Sequence, residues 1–323
     1  MVDLKEMLEG VLLLEITLVK FFPLITAFLW GTTYVATKFA LSDFSPMGIA
    51  AGRAVFAYLG LVVFYLILGK RAYLIPKKQD FGVIATVSLF GVVLFWWLLN
   101  VGLHFTTATN SALLVSIHPL FVIMLSPLIL KEAVTRQEWA GVLVGLIGSF
   151  LVITKGQIAG LIQSQTLLGD AISLLAGIFF AIYVLLGRKY AGKLHPGYLT
   201  VNAFGFGSLI LIPLSIFSGS SLAIWHGTGL AISAVVWLGL ACSAAAFLLL
   251  LTALEKTRAA KASVYILFAP VVAAITAYFL LKETIGLGAV VGGLFIICGI
   301  LLTALAKPAG LSEKSVAEHT QKA

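Results

Sequence analysis

The sequence predicts an all-α integral membrane protein of ten transmembrane helices, built as two inverted five-helix repeats with both termini cytoplasmic. Three observations carry that expectation. Of 323 residues, 61% are hydrophobic and 11% charged, with a mean hydropathy of +1.10. The hydrophobic residues gather into ten long runs, and the second half of the chain repeats the first. A soluble domain carries about 25% charged residues. One spanning helix needs about 20 apolar residues. The length therefore accommodates about ten helices and excludes a soluble enzyme on a membrane anchor, because nothing is left to build a separate core.

Residues 1–18 place Asp3, Glu6, Glu9 and Glu15 against Lys5, the wrong sign for the basic start of a signal peptide. They read as a short interfacial helix. The apolar runs then fall near 21–41, 47–69, 81–103, 107–130, 139–154, 168–187, 198–217, 229–253, 260–281 and 285–305. Turn or charge clusters separate them: residues 42–46, the basic stretch from Lys70 to Asp80, Lys131 to Glu138, and Gly156 to Gln165. In hydrocarbon no water satisfies exposed backbone groups, so uniform runs of this length must be helices. The residue alternation of a membrane barrel is absent.

Orientation follows from the basic residues, which accumulate on cytoplasmic loops. With the N-terminus inside, 17 Lys and Arg fall on the cytoplasmic side against two, Lys155 and Lys282, on the other. The net charge of +8 thus reflects topology, and no basic stripe beside aromatics suggests nucleic acid. Cys242 and Cys298 lie deep in apolar runs and make neither a disulfide nor a metal framework. No cofactor, metal or catalytic residue is expected.

The repeat is read at an offset of 151. Pro119 meets Pro270, Lys131 and Glu132 meet Lys282 and Glu283, Gly141 meets Gly292, and Gly148 meets Gly299. At an offset of 150, Lys38 meets Arg188 and Pro46 meets Pro196. Five spans is an odd number, so the second copy is upside down relative to the first. Inverted repeats around a midplane site mark secondary transporters, although a fold alone does not assign a function. The expected units are an interfacial segment (1–18), repeat 1 (19–155), a linker (156–167), repeat 2 (168–306) and a cytoplasmic tail (307–323).

Several residues together resemble a known family, the EamA-type members of the drug/metabolite transporter superfamily. They are Phe28-Leu29-Trp30-Gly31, Lys38, Ser45-Pro46 and Arg53, then Ala108-Thr109-Asn110-Ser111-Ala112, Pro119 and Leu130-Lys131-Glu132. The second copy echoes them in residues 259–263, Pro270 and Lys282-Glu283. The resemblance spans residues 20–306 and implies a ten-helix carrier in the cell (inner or plasma) membrane that moves small metabolites such as amino acids.

The candidate substrate-binding residues are Trp30, Tyr34, Asn110, His118, Ser263, Tyr265, Arg53 and Lys38. Arg53 lies seven residues past Pro46, about 10 Å below the outer surface at about 1.5 Å per residue. An unpaired arginine in a span costs about 2.5–3.5 kcal/mol on insertion scales, so it needs a wet cavity, a helix C-terminus or backbone carbonyls. Two readings stand for it: an anchor for a substrate carboxylate, or a structural tie between helix ends. Lys38 either contributes to the site or snorkels to the surface. His118, beside Pro119 in the fourth span, either relays protons and binds substrate or is a satisfied core histidine. No Asp or Glu occupies a midplane. Trp96, Trp97, Asn100, Tyr183, Asn202 and Ser243 add polar and aromatic character to inward faces.

Spans five and ten carry G-x-x-x-G as Gly141/Gly145 and Gly288/Gly292, which suits either packing within one subunit or a homodimer. The expected partners are a small-molecule substrate and membrane lipids. The function expected is export of a small polar or amphipathic metabolite, an amino acid or related carboxylate first, by alternating access. A lipid or isoprenoid flippase on the same scaffold is the alternative, and an intramembrane enzyme a more distant one, since the in-span acid–base pair it would need is missing.

Overall fold

The computed structural model describes residues 19, 21–106, 108–154, 166–219, 227–282 and 284–306. The expected interfacial segment, most of the linker and the tail lie outside them. Among the described residues there are ten helical units and no strand: α1 (Phe22–Ala40), α2 (Pro46–Ile67), α3 (81–105), α4 (108–129), α5 (Arg136–Thr154), α6 (Leu167–Tyr190), α7 (Pro196–Phe217), α8 (Gly229–Lys256), α9 (Ala259–Leu281) and α10 (Leu287–Leu305). Nine of them are long and apolar enough to cross a membrane. The exception is α1, threaded with Thr26, Thr32, Thr33, Thr37 and Lys38.

Local chemistry sets the helix starts. Ser45 caps α2 by accepting from the Gly48 N–H at 3.1 Å, with Pro46 in the first turn where its missing N–H costs nothing. At the matching position of the second copy, His195 caps α7 by accepting from the Gly197 N–H at 3.0 Å, ahead of Pro196. Thr135 and Glu138 form a reciprocal capping box at the start of α5, with bonds of 3.1 and 2.8 Å.

The repeat is visible in the irregularities. Within α3 the turns widen to π-helix over Leu89–Leu94, and within α8 over Leu240–Ala245, 151 residues later. The fourth helix breaks at Ile117 into Ala108–Ser116 and His118–Ile129. The ninth breaks before Ala269, into Ala259–Ile266 and Ala269–Leu281, where Pro270 mirrors Pro119. Lys131 and Lys282, which follow those two helices, share the left-handed conformation at φ 58°. Proline in the first turn explains each break, since its ring clashes with the carbonyl one turn back.

The glycine faces of α5 and α10 meet each other inside the subunit. A Cβ on Gly148 would stand 2.5 Å from the Gly292 carbonyl oxygen, and one on Gly299 2.6 Å from that of Gly141. Glycine is what lets these two backbones touch.

The central aromatic site and its two ends

Six rings from five helices pack through the middle of the bundle. Trp30 of α1 stands edge-on to Phe180 of α6 (centroids 5.3 Å) and to Phe247 of α8 (5.4 Å). Phe180 contacts Phe95 of α3 (5.0 Å) and, edge-on, the His118 imidazole of α4 (4.8 Å). Phe247 reaches Trp96 of α3 at 6.5 Å, so the chain of rings runs from Trp96 to His118. Trp96 and Phe247 are themselves a repeat pair, 151 residues apart.

The π turns shape this centre. A wider turn leaves carbonyls without their usual α-helical partner. The Trp96 indole donates to the Gly91 carbonyl at 3.1 Å, and the Trp30 indole donates to the Cys242 carbonyl at 2.8 Å. Gly91 also has no room for a side chain: a Cβ there would lie 2.1 Å from the Tyr183 ring.

Arg53 is buried, at 7% exposure. Its guanidinium lies 3.2 Å from the centroid of the Trp96 ring, and its Nε donates to Ser243 Oγ at 3.0 Å. Ser243 in turn donates to the Leu238 carbonyl at 2.8 Å, the i−5 bond of the α8 π turn. Among the described residues no helix C-terminus or backbone carbonyl accepts from the guanidinium, and its one hydrogen bond runs to a side chain on the α8 π turn. His118 is 3% exposed; its Nδ1 donates to the Val115 carbonyl at 3.2 Å, and its Nε2 has no partner among the described residues.

Of the eight candidate residues, Trp30 and His118 therefore meet on Phe180, and Arg53 joins them through Trp96. Tyr34 and Tyr265 are not among the rings of this chain of contacts. Ser263 is fully buried and donates to the Ala260 carbonyl of its own helix at 2.9 Å. Tyr265 is half-buried and Tyr34 is 47% exposed; neither side chain hydrogen-bonds another described residue. Lys38 is exposed in the last turn of α1. The Asn110 side chain lies outside the described residues. Sequence reasoning missed Phe95, Phe180 and Phe247, three phenylalanines among 22 in an apolar chain. The one available signal was the match of Phe247 to Trp96.

The two ends of the bundle are built differently. At the end holding the α4–α5, α6–α7 and α8–α9 connections, Glu132 accepts from Arg188 at 2.9 Å, and the fully buried Glu138 accepts from Arg258 at 2.6 Å. Arg258 also donates to the Ala133 carbonyl. At the opposite end, Asp43 accepts from the Thr228 N–H at 2.5 Å, and Thr106 donates to Asp170. The hydrogen bonds from Thr228 and Ser42 hold the Asp43 carboxyl below its ordinary range.

Packing follows the same asymmetry. In the first half of α9, Ala259, Ala260, Ala262, Ser263, Val264 and Ile266 are buried. In the matching half of α4, residues 112–117 are all partly exposed. The first half of α9 packs against the second half of α4, whereas the mirror pair, the first half of α4 and the second half of α9, has no comparable packing among the described residues. A groove of about 370 Å³ runs along that looser half, lined by Leu113, Ser116, Ile117 and Leu120 of α4 and by Leu146, Ile147, Ser149 and Phe150 of α5.

Comparison with known proteins extends this picture. A solved crystal structure superposes with a TM-score of 0.77 over 90% of this chain and 96% of its own, at 17% identity, which shows a shared fold. Two uncharacterized transporters of Archaeoglobus fulgidus are 27% and 30% identical, each across 86% of this chain and 94% and 95% of their own lengths. A protein of Streptantibioticus cattleyicolor named as a probable terminal-alkyne amino-acid exporter is 28% identical over 86% of this chain and 90% of its own. The model of the EamA-like transporter family matches twice, at residues 17–154 and 167–305, one match for each copy of the repeat. This chain is a multi-pass membrane protein and belongs to the EamA-like transporter family.

Proposed function

We propose that the protein is a ten-span secondary carrier of the cell membrane, with both termini cytoplasmic, that exports a small amphipathic metabolite by alternating access. An amino acid or a related carboxylate is the substrate class favoured. The observation that carries this reading is the unequal packing of two matching half-helices, sealed in α9 and loosened in α4. Inverted repeats of similar sequence in different conformations are what a rocking carrier presents in either of its end states. The sealed end carries the Glu132, Glu138, Arg188 and Arg258 network and, by the basic-residue rule, faces the cytoplasm. The loosened end then faces outward.

Transport proceeds by exchange of the two half-helix conformations around the ring cluster. The network opens, the first half of α9 loosens, and the first half of α4 closes. Trp30, Phe180 and Phe247 offer an apolar wall to the substrate, while Arg53 and His118 offer polar groups at its two ends. The relative named as a probable amino-acid exporter supports the substrate class. The apolar groove between α4 and α5 favours a second reading, an amphipathic lipid.

Inverted vesicles containing the protein, supplied from the medium with labelled amino acids in turn, separate these readings. The carrier reading expects saturable accumulation of at least one amino acid above vesicles without the protein. Movement of lipid headgroups to the other leaflet, with no amino acid transported, would replace it by the second reading.

A further inference from the structure

Arginines near the interior of this bundle are held in two different ways. Arg188 donates from Nε to Glu132 at 2.9 Å and from Nη1 to the carbonyls of Leu254 and Glu255 at 2.9 and 3.3 Å. Arg258 donates to Glu138 at 2.6 Å and to the Ala133 carbonyl, with Glu132 a further 3.6 Å contact. Each has an acid to balance its charge and a carbonyl to fix its direction. Arg53 is buried to 7% exposure, yet it has no acid partner among the described residues and makes a single hydrogen bond, to Ser243. Its Nη1 and Nη2 have no hydrogen-bond partner among the described residues.

The geometry points to Arg53 as the binding group for a singly charged carboxylate on the transported molecule, whose apolar body lies along the rings between Trp96 and Phe180. This rests on the carrier reading and names the chemistry of its site. The guanidinium has one face on Trp96 and its Nε on Ser243, so the edge left open is the Nη1–Nη2 fork. That edge presents two parallel N–H donors at the spacing of two carboxylate oxygens. Stacking on the indole fixes the plane of the fork, which reduces the ordering that binding requires.

The single charge follows from the surroundings. Arg53 is the one basic side chain in contact with the ring cluster among the described residues. A carboxylate leaves a neutral pair, whereas a phosphate monoester would bury an uncompensated charge of about −1. An independent observation marks the other end of the ligand. The His118 Nε2, 97% buried by residue and without a partner among the described residues, sits at the far end of the same rings as an acceptor for an N–H or O–H of the ligand. Because Arg53 and Trp96 belong to the first repeat and Ser243 to the second, the carboxylate is gripped where the two copies meet.

The test uses the full-length protein in lipid nanodiscs, titrated with the twenty amino acids, their methyl esters, their decarboxylated amines and phenyl phosphate. For the amino acid that binds best, the ester and the amine should bind at least tenfold more weakly. Arg53→Gln should bring the acid down to the level of its ester, Arg53→Lys should recover part of the difference, and Ser243→Ala should weaken acid binding severalfold. If Arg53→Gln does not fold, the ester comparison on the wild type and the Ser243→Ala titration decide. Equal binding of acid and ester by the wild type overturns the site, as does tighter binding of phenyl phosphate. So does a folded Arg53→Gln protein that still prefers the acid. Vesicle transport of amines, with no carboxylate bound, overturns the site and leaves the carrier reading standing.

Discussion

Glu132 accepts from Arg188 Nε at 2.9 Å, and this one contact joins the connection after α4, in the first copy, to the end of α6, in the second. Arg258 extends the join from the α8–α9 connection to Glu138 at the start of α5. The four side chains therefore fasten the two copies together at that end, while Asp43 with Thr228 and Thr106 with Asp170 join them at the other. The positions 151 residues from Arg258 and Glu138 are Thr107 and Ala289, so the opposite end has no equivalent of that second pair.

Arg258→Met should destabilise the closed end strongly. Glu138 is fully buried and accepts from both Arg258 and the Thr135 N–H. Removing the arginine leaves a buried carboxylate without its counter-charge, a loss of about 3–5 kcal/mol. Chemical denaturation in detergent should show a loss of that size. A double-mutant cycle with Glu138→Gln should recover much of it.

His195 should make stability depend on pH. Partial burial holds its pKa below the ordinary value, Glu255 opposes that shift and Lys70 adds to it. The ring also lies 4.6 Å from Tyr73. A histidine with a depressed folded pKa takes up its proton more readily in the unfolded chain, so protonation favours unfolding. Its contribution is complete above about pH 6.5 and is lost as pH falls through the lower folded value. Protonation also removes the Nδ1 acceptor that caps α7. His195→Asn keeps a good cap and should flatten the slope of melting temperature between about pH 5 and 6.5.

Gly148→Ala should cost about 1–3 kcal/mol, because its Cβ would meet backbone atoms of Gly292 and Ile296 at 2.5 and 2.6 Å. Gly82→Ala, with nothing within 4 Å of the new carbon, is the matched control. It should be neutral or stabilising, since alanine favours the helix by about 1 kcal/mol. The difference in melting temperature between the two variants measures the α5–α10 contact.

His118→Gln should flatten the dependence of transport rate on pH if protons drive export. The argument is one of position. His118 is the titrating side chain inside the ring cluster other than Arg53 and Tyr183, and its Nε2 lacks a protein partner among the described residues. Glutamine keeps the size and hydrogen bonding while removing titration. An unchanged profile with full rate assigns His118 a structural role.

Much of the architecture was legible because the membrane makes helices obligatory and proline marks their breaks. Pro119 and Pro270 sit in the first turns after the interruptions of α4 and α9. The π turns were not legible, since residues 89–94 and 240–245 have no composition that separates them from ordinary helix. The site was readable only in part for a related reason. Arg53 announced itself by its charge, but its partner Ser243 lies 190 residues away on one of those π turns. Phe180 looks like any lipid-facing phenylalanine until Trp30 and His118 are placed beside it. Ser263 is buried in the sealed half of α9 and donates to the Ala260 carbonyl, a contact with nothing in the sequence to mark it.

The central claim is that matching half-helices of the two copies exchange conformation, and Ala112 with Ser263, 151 residues apart, tests it most directly. Ala112 is partly exposed in the loosened half of α4, and Ser263 is fully buried in the sealed half of α9. Each is replaced by cysteine in turn, in a chain with Cys242 and Cys298 changed to alanine, and labelled with a membrane-impermeant thiol reagent from either side. Ala112→Cys should react from outside, and Ser263→Cys should resist from both sides. Adding Arg258→Met should reverse the pattern, exposing Ser263→Cys to the cytoplasmic side and slowing Ala112→Cys. Reaction of both positions from the same side, or a pattern that Arg258→Met leaves unchanged, would contradict the account.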